Sequence, residues 1–160
     1  MKHDINLTVN GELYNLTVES HHTLLTILRE QLVLTSVKNG CSEGECGACT
    51  VLFDGKPVNS CLVLGAEADG HEIVTAEGLT INGQLAPIQQ TMIDLGGTQC
   101  GYCTPGIVMA SFALLERNPN PTEQEIREGL VGNLCRCTGY TRIVDAVREA
   151  ARLQRTDMTL

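Results

Sequence analysis

The stretch Cys41-Ser42-Glu43-Gly44-Glu45-Cys46-Gly47-Ala48-Cys49 constrains this chain more than any other. It sets three thiols at C-x4-C-x2-C spacing, and Cys61 follows as a fourth. Thiolate sulfur favours soft and borderline metals and iron–sulfur clusters, and this spacing is the plant-type [2Fe–2S] pattern. The glycines at 40, 44 and 47 suit the same purpose. A loop around a small anionic cluster needs backbone close to inorganic sulfide, N–H groups turned inward and some positive φ angles. Zinc is the competing reading, because four cysteines also build a tetrahedral structural site. Zinc sites generally use two short C-x2-4-C pairs rather than a three-ligand loop with a distant fourth, so the spacing favours iron and sulfide.

The compartment decides how the full set of eight cysteines is read. In an oxidising compartment they would suggest a disulfide framework; in a reducing one they suggest metal or redox chemistry. No apolar run approaches the length of a membrane span. Met1-Lys2-His3-Asp4 resembles neither a secretory nor a twin-arginine signal, so a cytoplasmic location is expected. A formal charge of −8 and a pI near 4.9 argue against nucleic acid or an anionic membrane as partner.

Taken in order, Ile5, Leu7 and Val9 alternate, Asn10-Gly11 supplies a type I′ turn, and Leu13, Leu16 and Val18 continue a second extended run. Thr23 caps a helix bearing Leu24, Ile27, Leu28 and Leu32. After the cysteine loop, Thr50–Phe53 reads as a strand and Asp54-Gly55 as a turn. Pro57-Val58 with Cys61–Leu64 reads as the return strand, and Glu72–Thr75 as a last short one. Beyond Gly78 the period changes from two to about 3.6. Leu85, Ile88, Met92 and Leu95 fit one helix face, ended by Gly96-Gly97. A buried helix should start near Pro105 and stop at Asn118-Pro119-Asn120-Pro121. Thr122 and Glu125 form a capping box for a third helix with Ile126 and Leu130. The fourth begins near Tyr140 or Thr141 and carries Ile143, Val144, Val147 and Ala151, with a loose tail after Arg155. The fold class expected is therefore α+β: a mixed-sheet lobe over residues 1–76, then an all-α four-helix lobe over residues 77–160. Lobes of that size bury only about 60% of their unfolded surface, so ligation tying distant segments together would add needed stability.

The helical lobe holds Cys100-Gly101-Tyr102-Cys103 and Cys135-Arg136-Cys137. Alone, that pattern is shared by zinc, a cluster and a redox dithiol. Each pair lies just before a helix, where the positive dipole end and free N–H groups favour thiolates and an anionic cluster. A thioredoxin-like dithiol needs a βαβ context, which this pattern lacks. His3, His21, His22 and His71 lie away from the cysteines, which argues against Rieske-type ligation. No G-x-G-x-x-G dinucleotide fingerprint and no P-loop occurs. Glu43 and Glu45 read as surface charges beside the site. Arg136 reads equally as an exposed side chain or as one that offsets cluster charge or reaches a partner.

Three segments carry a resemblance: Gly40-Cys41-Ser-Glu-Gly-Glu-Cys46-Gly-Ala-Cys49-Thr50, Gln99-Cys100-Gly-Tyr-Cys103-Thr-Pro-Gly106 and Gly132-Asn-Leu-Cys135-Arg-Cys137-Thr-Gly-Tyr140. In type and order they resemble the small iron–sulfur subunit of the molybdenum hydroxylases, the xanthine dehydrogenase and aldehyde oxidoreductase family. The resemblance implies a plant-ferredoxin-like (β-grasp) lobe followed by the four-helix lobe, with one [2Fe–2S] cluster in each. It implies Cys41, Cys46, Cys49 and Cys61 as ligands of the first cluster, near the FAD of a medium subunit. It implies Cys100, Cys103, Cys135 and Cys137 as ligands of the second, near a molybdopterin cofactor in a large subunit, with Gln99 and Cys137 beside the pterin. The implied role is electron relay inside a higher-order hetero-oligomer whose substrate pocket belongs to another chain. A free-standing ferredoxin and a zinc-bound adaptor are the rival functions; one lobe would suffice for the former, and the cysteine spacing disfavours the latter.

Overall fold

The computed structural model describes residues 1–157 and opens with the hairpin that the alternation predicts. Strands β1 (Lys2–Val9) and β2 (Glu12–Glu19) pair antiparallel from Lys2↔Glu19 to Val9↔Glu12. Asn10 (φ 52°) and Gly11 (φ 83°) make the turn, and two consecutive positive φ values match the twist of the strands. Ile5, Leu7 and Val9 are buried. On β2 the inward series is Tyr14, Leu16 and Val18, whereas Leu13 is 68% exposed. Leu13 is an odd number of residues from Leu16, so the period of two puts it on the outer face, which corrects its place in the expected run.

Thr23 caps α1 (Leu24–Thr26) by accepting the Thr26 N–H at 3.2 Å, and the helix widens at once into a π-turn over Ile27–Gln31. Leu24, Ile27 and Leu28 are fully buried in the core beneath the strands. β3 (Thr50–Phe53), β4 (Lys56–Asn59) and β5 (Glu72–Val74) complete a sheet of order β2-β1-β5-β3-β4. β5 runs parallel to β1 and antiparallel to β3, so the last strand in sequence is central. Cys61 is not on a return strand as expected; it sits on a 3-10 turn over Ser60–Leu62. The fully buried Ser60 explains this, because its N–H (3.3 Å) and hydroxyl (2.8 Å) both donate to the Cys49 carbonyl and turn the chain toward Cys49.

Four helices follow: α2 (Pro87–Asp94), α3 (Thr104–Arg117), α4 (Glu123–Gly129) and α5 (Thr141–Asp157). Leu85 falls before α2 and is 39% exposed, so it is not on the helix face expected for it. Proline disfavours the α region for its predecessor, which leaves Ala86 extended and starts the helix at Pro87. Gly96 (φ 68°) ends α2, with the Gly97 N–H returning to the Met92 carbonyl at 2.8 Å. α3 is buried along most of its length. α4 has the expected capping box: Glu125 N–H donates to Thr122 Oγ1 (3.3 Å) and Thr122 N–H to Glu125 Oε2 (2.7 Å). α5 buries Ile143, Val144, Val147 and Ala151 and remains helical through Asp157, past the expected end at Arg155; residues 158–160 of the expected tail lie outside the described residues.

The chain has two cores that meet along β3. Ile5, Leu7, Leu24, Ile27, Leu28, Val51 and Ile73 belong to the sheet core. Leu52, one residue from Val51 and on the opposite face, packs with Ile107, Met109, Ile126, Ile143 and Val147 in the helical core. A strand alternates sides, so β3 belongs to both lobes at once.

Candidate metal centres

The cysteine loop leaves the sheet core after Val37 and returns at β3, and its backbone takes left-handed values at Ser42 (φ 57°), Gly44 (φ 79°) and Gly47 (φ 69°). This curls N–H groups toward sulfur: Glu43 N–H and Cys46 N–H each donate to Cys41 Sγ at 3.4 Å. Those two amides, Glu43 first, draw the Cys41 thiol pKa down to about 7. A Cβ on Gly40 would stand 2.6 Å from Cys46 Sγ, so the loop closes only around glycine there. Cys49 and Cys61 are buried, at 2% and 8% exposure. Burial, followed by the adjoining Cys49 thiol, pushes Cys61 up to about 11.

In the second set Cys103 is the N-cap of α3, its carbonyl accepting Ile107 N–H at 3.0 Å. Burial and then the neighbouring Cys135 thiol push Cys103 up to about 12. Burial acts upward on Cys135 too, but hydrogen bonds outweigh it and lower its pKa; the largest comes from the Thr138 hydroxyl at 3.1 Å. Cys100 and Cys137 are exposed, with sulfurs 3.6 Å apart, and the Cys100 thiol raises Cys137. Gln99 is exposed beside this outer pair, as is Arg136.

The thiols interact most closely in twos, Cys41 with Cys46, Cys49 with Cys61, Cys100 with Cys137 and Cys103 with Cys135, and the two pairs of each set are near enough to act on one another, Cys41 on Cys61, Cys100 on Cys103 and Cys135 on Cys137. A structural zinc site draws its four ligands around a single point, whereas a [2Fe–2S] centre takes four thiolates across two irons. Paired thiols suit the two-iron arrangement. Thiols this close oppose one another's ionisation, and bound cations remove that penalty, so the donor set fits a cluster in chemistry as well as in number.

The two sets are stitched together. Leu134 N–H donates to the Cys46 carbonyl at 2.9 Å, and Tyr102 OH donates to the Asn39 carbonyl at 2.6 Å. Asn133, 6% exposed, donates through Nδ2 to the Gly47 carbonyl (3.0 Å) and to Thr50 Oγ1 (3.1 Å). A Cβ on Gly106 would overlap the Gly47 carbonyl oxygen, so α3 meets the first loop backbone against backbone. One cavity of about 310 Å³ is lined by Cys41 and Cys46 from one side and by Cys100, Cys103, Cys135 and Cys137 from the other. A larger groove of about 630 Å³, between residues 78–87 and Phe112, has no cysteine among its lining residues.

The histidines are engaged elsewhere: His3 with Ser20 Oγ (3.0 Å), His21 edge-on with the His22 ring (centroids 4.8 Å apart), His22 also with Glu19 N–H (3.4 Å) and His71 with Asp54 Oδ2 (2.6 Å). Glu43 and Glu45 are exposed. Sequence reasoning assigned no role to Asn133, Tyr102, Thr138 or Tyr140. The available signal was their place within or beside the C-x2-C and C-x-C segments, where an uncharged hydrogen-bonding side chain can serve the ligand loop.

A β-grasp lobe and a helical lobe, each presenting two thiol pairs, define an iron–sulfur protein of the two-centre [2Fe–2S] class. Residues 7–80 match the 2Fe-2S iron-sulfur cluster binding domain and residues 75–148 the [2Fe-2S] binding domain. The chain is 52% identical to the nicotinate dehydrogenase small FeS subunit of Eubacterium barkeri over 146 residues, covering 91% of this chain and 93% of that protein. It is 49% identical to the xanthine dehydrogenase iron-sulfur-binding subunit of Escherichia coli O157:H7 over 150 residues, 92% of this chain and 94% of that one. The crystal structure of quinoline 2-oxidoreductase from Pseudomonas putida 86 superposes with a TM-score of 0.93 at 41% identity, covering 97% of both chains. The chain belongs to the small iron–sulfur subunits of the molybdenum hydroxylase family.

Proposed function

We propose that this chain is the electron-relay subunit of a multi-chain molybdenum hydroxylase, standing between a large molybdopterin-binding subunit and a medium FAD-binding subunit. The observation that carries the reading is the set of four thiol pairs, two per lobe, with the lobes joined by the Leu134–Cys46 hydrogen bond and with Cys41–Cys46 and both helical-lobe pairs lining one cavity. A [2Fe–2S] cluster, when bound, accepts and returns one electron at a time. We assign the first to Cys41, Cys46, Cys49 and Cys61 and the second to Cys100, Cys103, Cys135 and Cys137.

The exposure of the cysteines supports an order. Cys100 and Cys137 are exposed beside Gln99, which suits a face applied to the large subunit, with Gln99 and Cys137 next to the pterin. Cys41 and Cys46 look across the shared cavity toward the helical lobe. Cys49 and Cys61 are shielded from water and the neighbouring Leu62 is 62% exposed; we assign that side to the flavin subunit. The division at residues 1–76 and 77–160 belongs to the same proposal, supported by the two cores and by domain matches that overlap at 75–80. So does a cytoplasmic location in a higher-order hetero-oligomer; among the described residues no helix is long and apolar enough to cross a membrane.

Co-purification with the two larger subunits, followed by metal analysis and visible absorption, tests the reading. A coloured complex containing iron and sulfide is expected. A colourless, zinc-loaded chain that travels alone contradicts it, since zinc–thiolate sites have no visible band.

A further inference from the structure

Thr138 follows the last cysteine, in the loop that leads to α5. Its hydroxyl donates to Cys135 Sγ at 3.1 Å and accepts the Tyr140 N–H at 3.2 Å. A hydroxyl has a single hydrogen. With the Tyr140 N–H occupying the oxygen's acceptor side, that hydrogen is directed at the sulfur. The N–H comes within reach because Gly139 (φ 65°) and Tyr140 (φ 68°) are both left-handed, a conformation uncommon for a bulky residue. Tyr140 is held in it by its own side chain: the phenol oxygen accepts Cys135 N–H at 2.7 Å and donates to the Asn133 carbonyl at 3.2 Å. The loop thus closes on itself at two points, and the result is one hydroxyl hydrogen delivered to one thiol. Backbone amides of Cys137 and Thr138 also act on Cys135, as those of Glu43 and Cys46 do on Cys41 Sγ in the first set; what the second set adds is the side-chain hydroxyl.

The geometry points to Thr138 as a positioning residue that raises the reduction potential of the helical lobe's cluster, with Tyr140 holding it in place. The inference rests on the proposed assignment of Cys135 as a ligand. Reduction adds negative charge that spreads onto the ligand sulfurs, and a hydrogen bond to sulfur stabilises the more negative form. Removing it lowers the potential of that centre and leaves the other where it was.

The test is a redox titration of the assembled complex followed by EPR, comparing wild type with Thr138→Val and Thr138→Ser. Valine keeps the shape and removes the donor; serine keeps the donor. In Thr138→Val the ratio of reduced to oxidised second centre, read at a fixed solution potential, should fall about tenfold, equivalent to a 59 mV lowering for a one-electron couple. The first centre should not move, and Thr138→Ser should titrate as wild type. An unshifted second centre in the valine variant overturns the inference, as does a shift shared by both centres or one that serine reproduces. Loss of the second signal in the valine variant also overturns it, since the hydroxyl would then serve assembly instead of potential. A wild-type complex without a second signal contradicts instead the assignment of Cys100, Cys103, Cys135 and Cys137, so the two failures are distinct.

Discussion

Glu77 shows how single residues brace the metal sites from a distance. Its carboxylate accepts Ser36 N–H at 3.0 Å and the hydroxyls of Ser36 and Thr75, the latter at 2.6 Å, and so ties the entry to the cysteine loop to the junction after β5. Partial burial pushes its pKa up, but these hydrogen bonds outweigh burial and the net shift is downward. A carboxylate with a lowered folded pKa contributes stability that is fully present above its unfolded value, about 4.3 for Glu, and is lost as pH falls through the folded value. The stability difference between wild type and Glu77→Gln should therefore be present at neutral pH and close on acidification below about pH 4.3. Paired denaturant melts across that range measure it; a gap that widens toward acid contradicts the assigned sign. The thiol-rich loop was legible from its spacing, because C-x4-C-x2-C is a local object. The pairing of the thiols was not, since Cys100 meets Cys137 and Cys49 meets Cys61 only after the lobes have folded.

At the scale of elements, the hairpin, the capped α1 and the four helices follow from period, turn residues and caps. The departures have local causes. Leu13 is out of phase with β2, Pro87 delays α2 past Leu85, and Ser60 folds Cys61 onto a 3-10 turn. The approach of α3 to the first cysteine loop could not be read from the chain, because it depends on Gly106 meeting Gly47 across the lobes. It yields a sharp expectation. In Gly106→Ala the new methyl meets a backbone carbonyl, which cannot rotate away as a side chain would, so α3 and the loop must move apart. Overpacking of this kind costs about 1–3 kcal/mol. The variant complex should melt earlier, and the magnetic interaction between its two reduced centres should weaken in low-temperature EPR. A variant with unchanged melting and unchanged interaction would show that this contact does not set the spacing of the lobes.

The molecule as a whole is two small cores sharing β3, sewn together by Asn133, Leu134 and Tyr102 beside the cavity that both cysteine sets face. The lobes are thus held at the place where electrons would cross between them. The central claim, that two separate four-cysteine sets each hold their own [2Fe–2S] cluster, is most directly tested by iron and sulfide analysis with EPR on wild type, Cys46→Ser and Cys103→Ser. Serine oxygen is a harder, poorer ligand for a sulfur-bridged iron centre, so each change should damage only its own site. Wild type should contain about four iron and four sulfide per chain and show two distinguishable signals on reduction. Cys46→Ser should lose or shift one of these and Cys103→Ser the other. A single signal in wild type, or the same signal altered by both substitutions, would contradict the account.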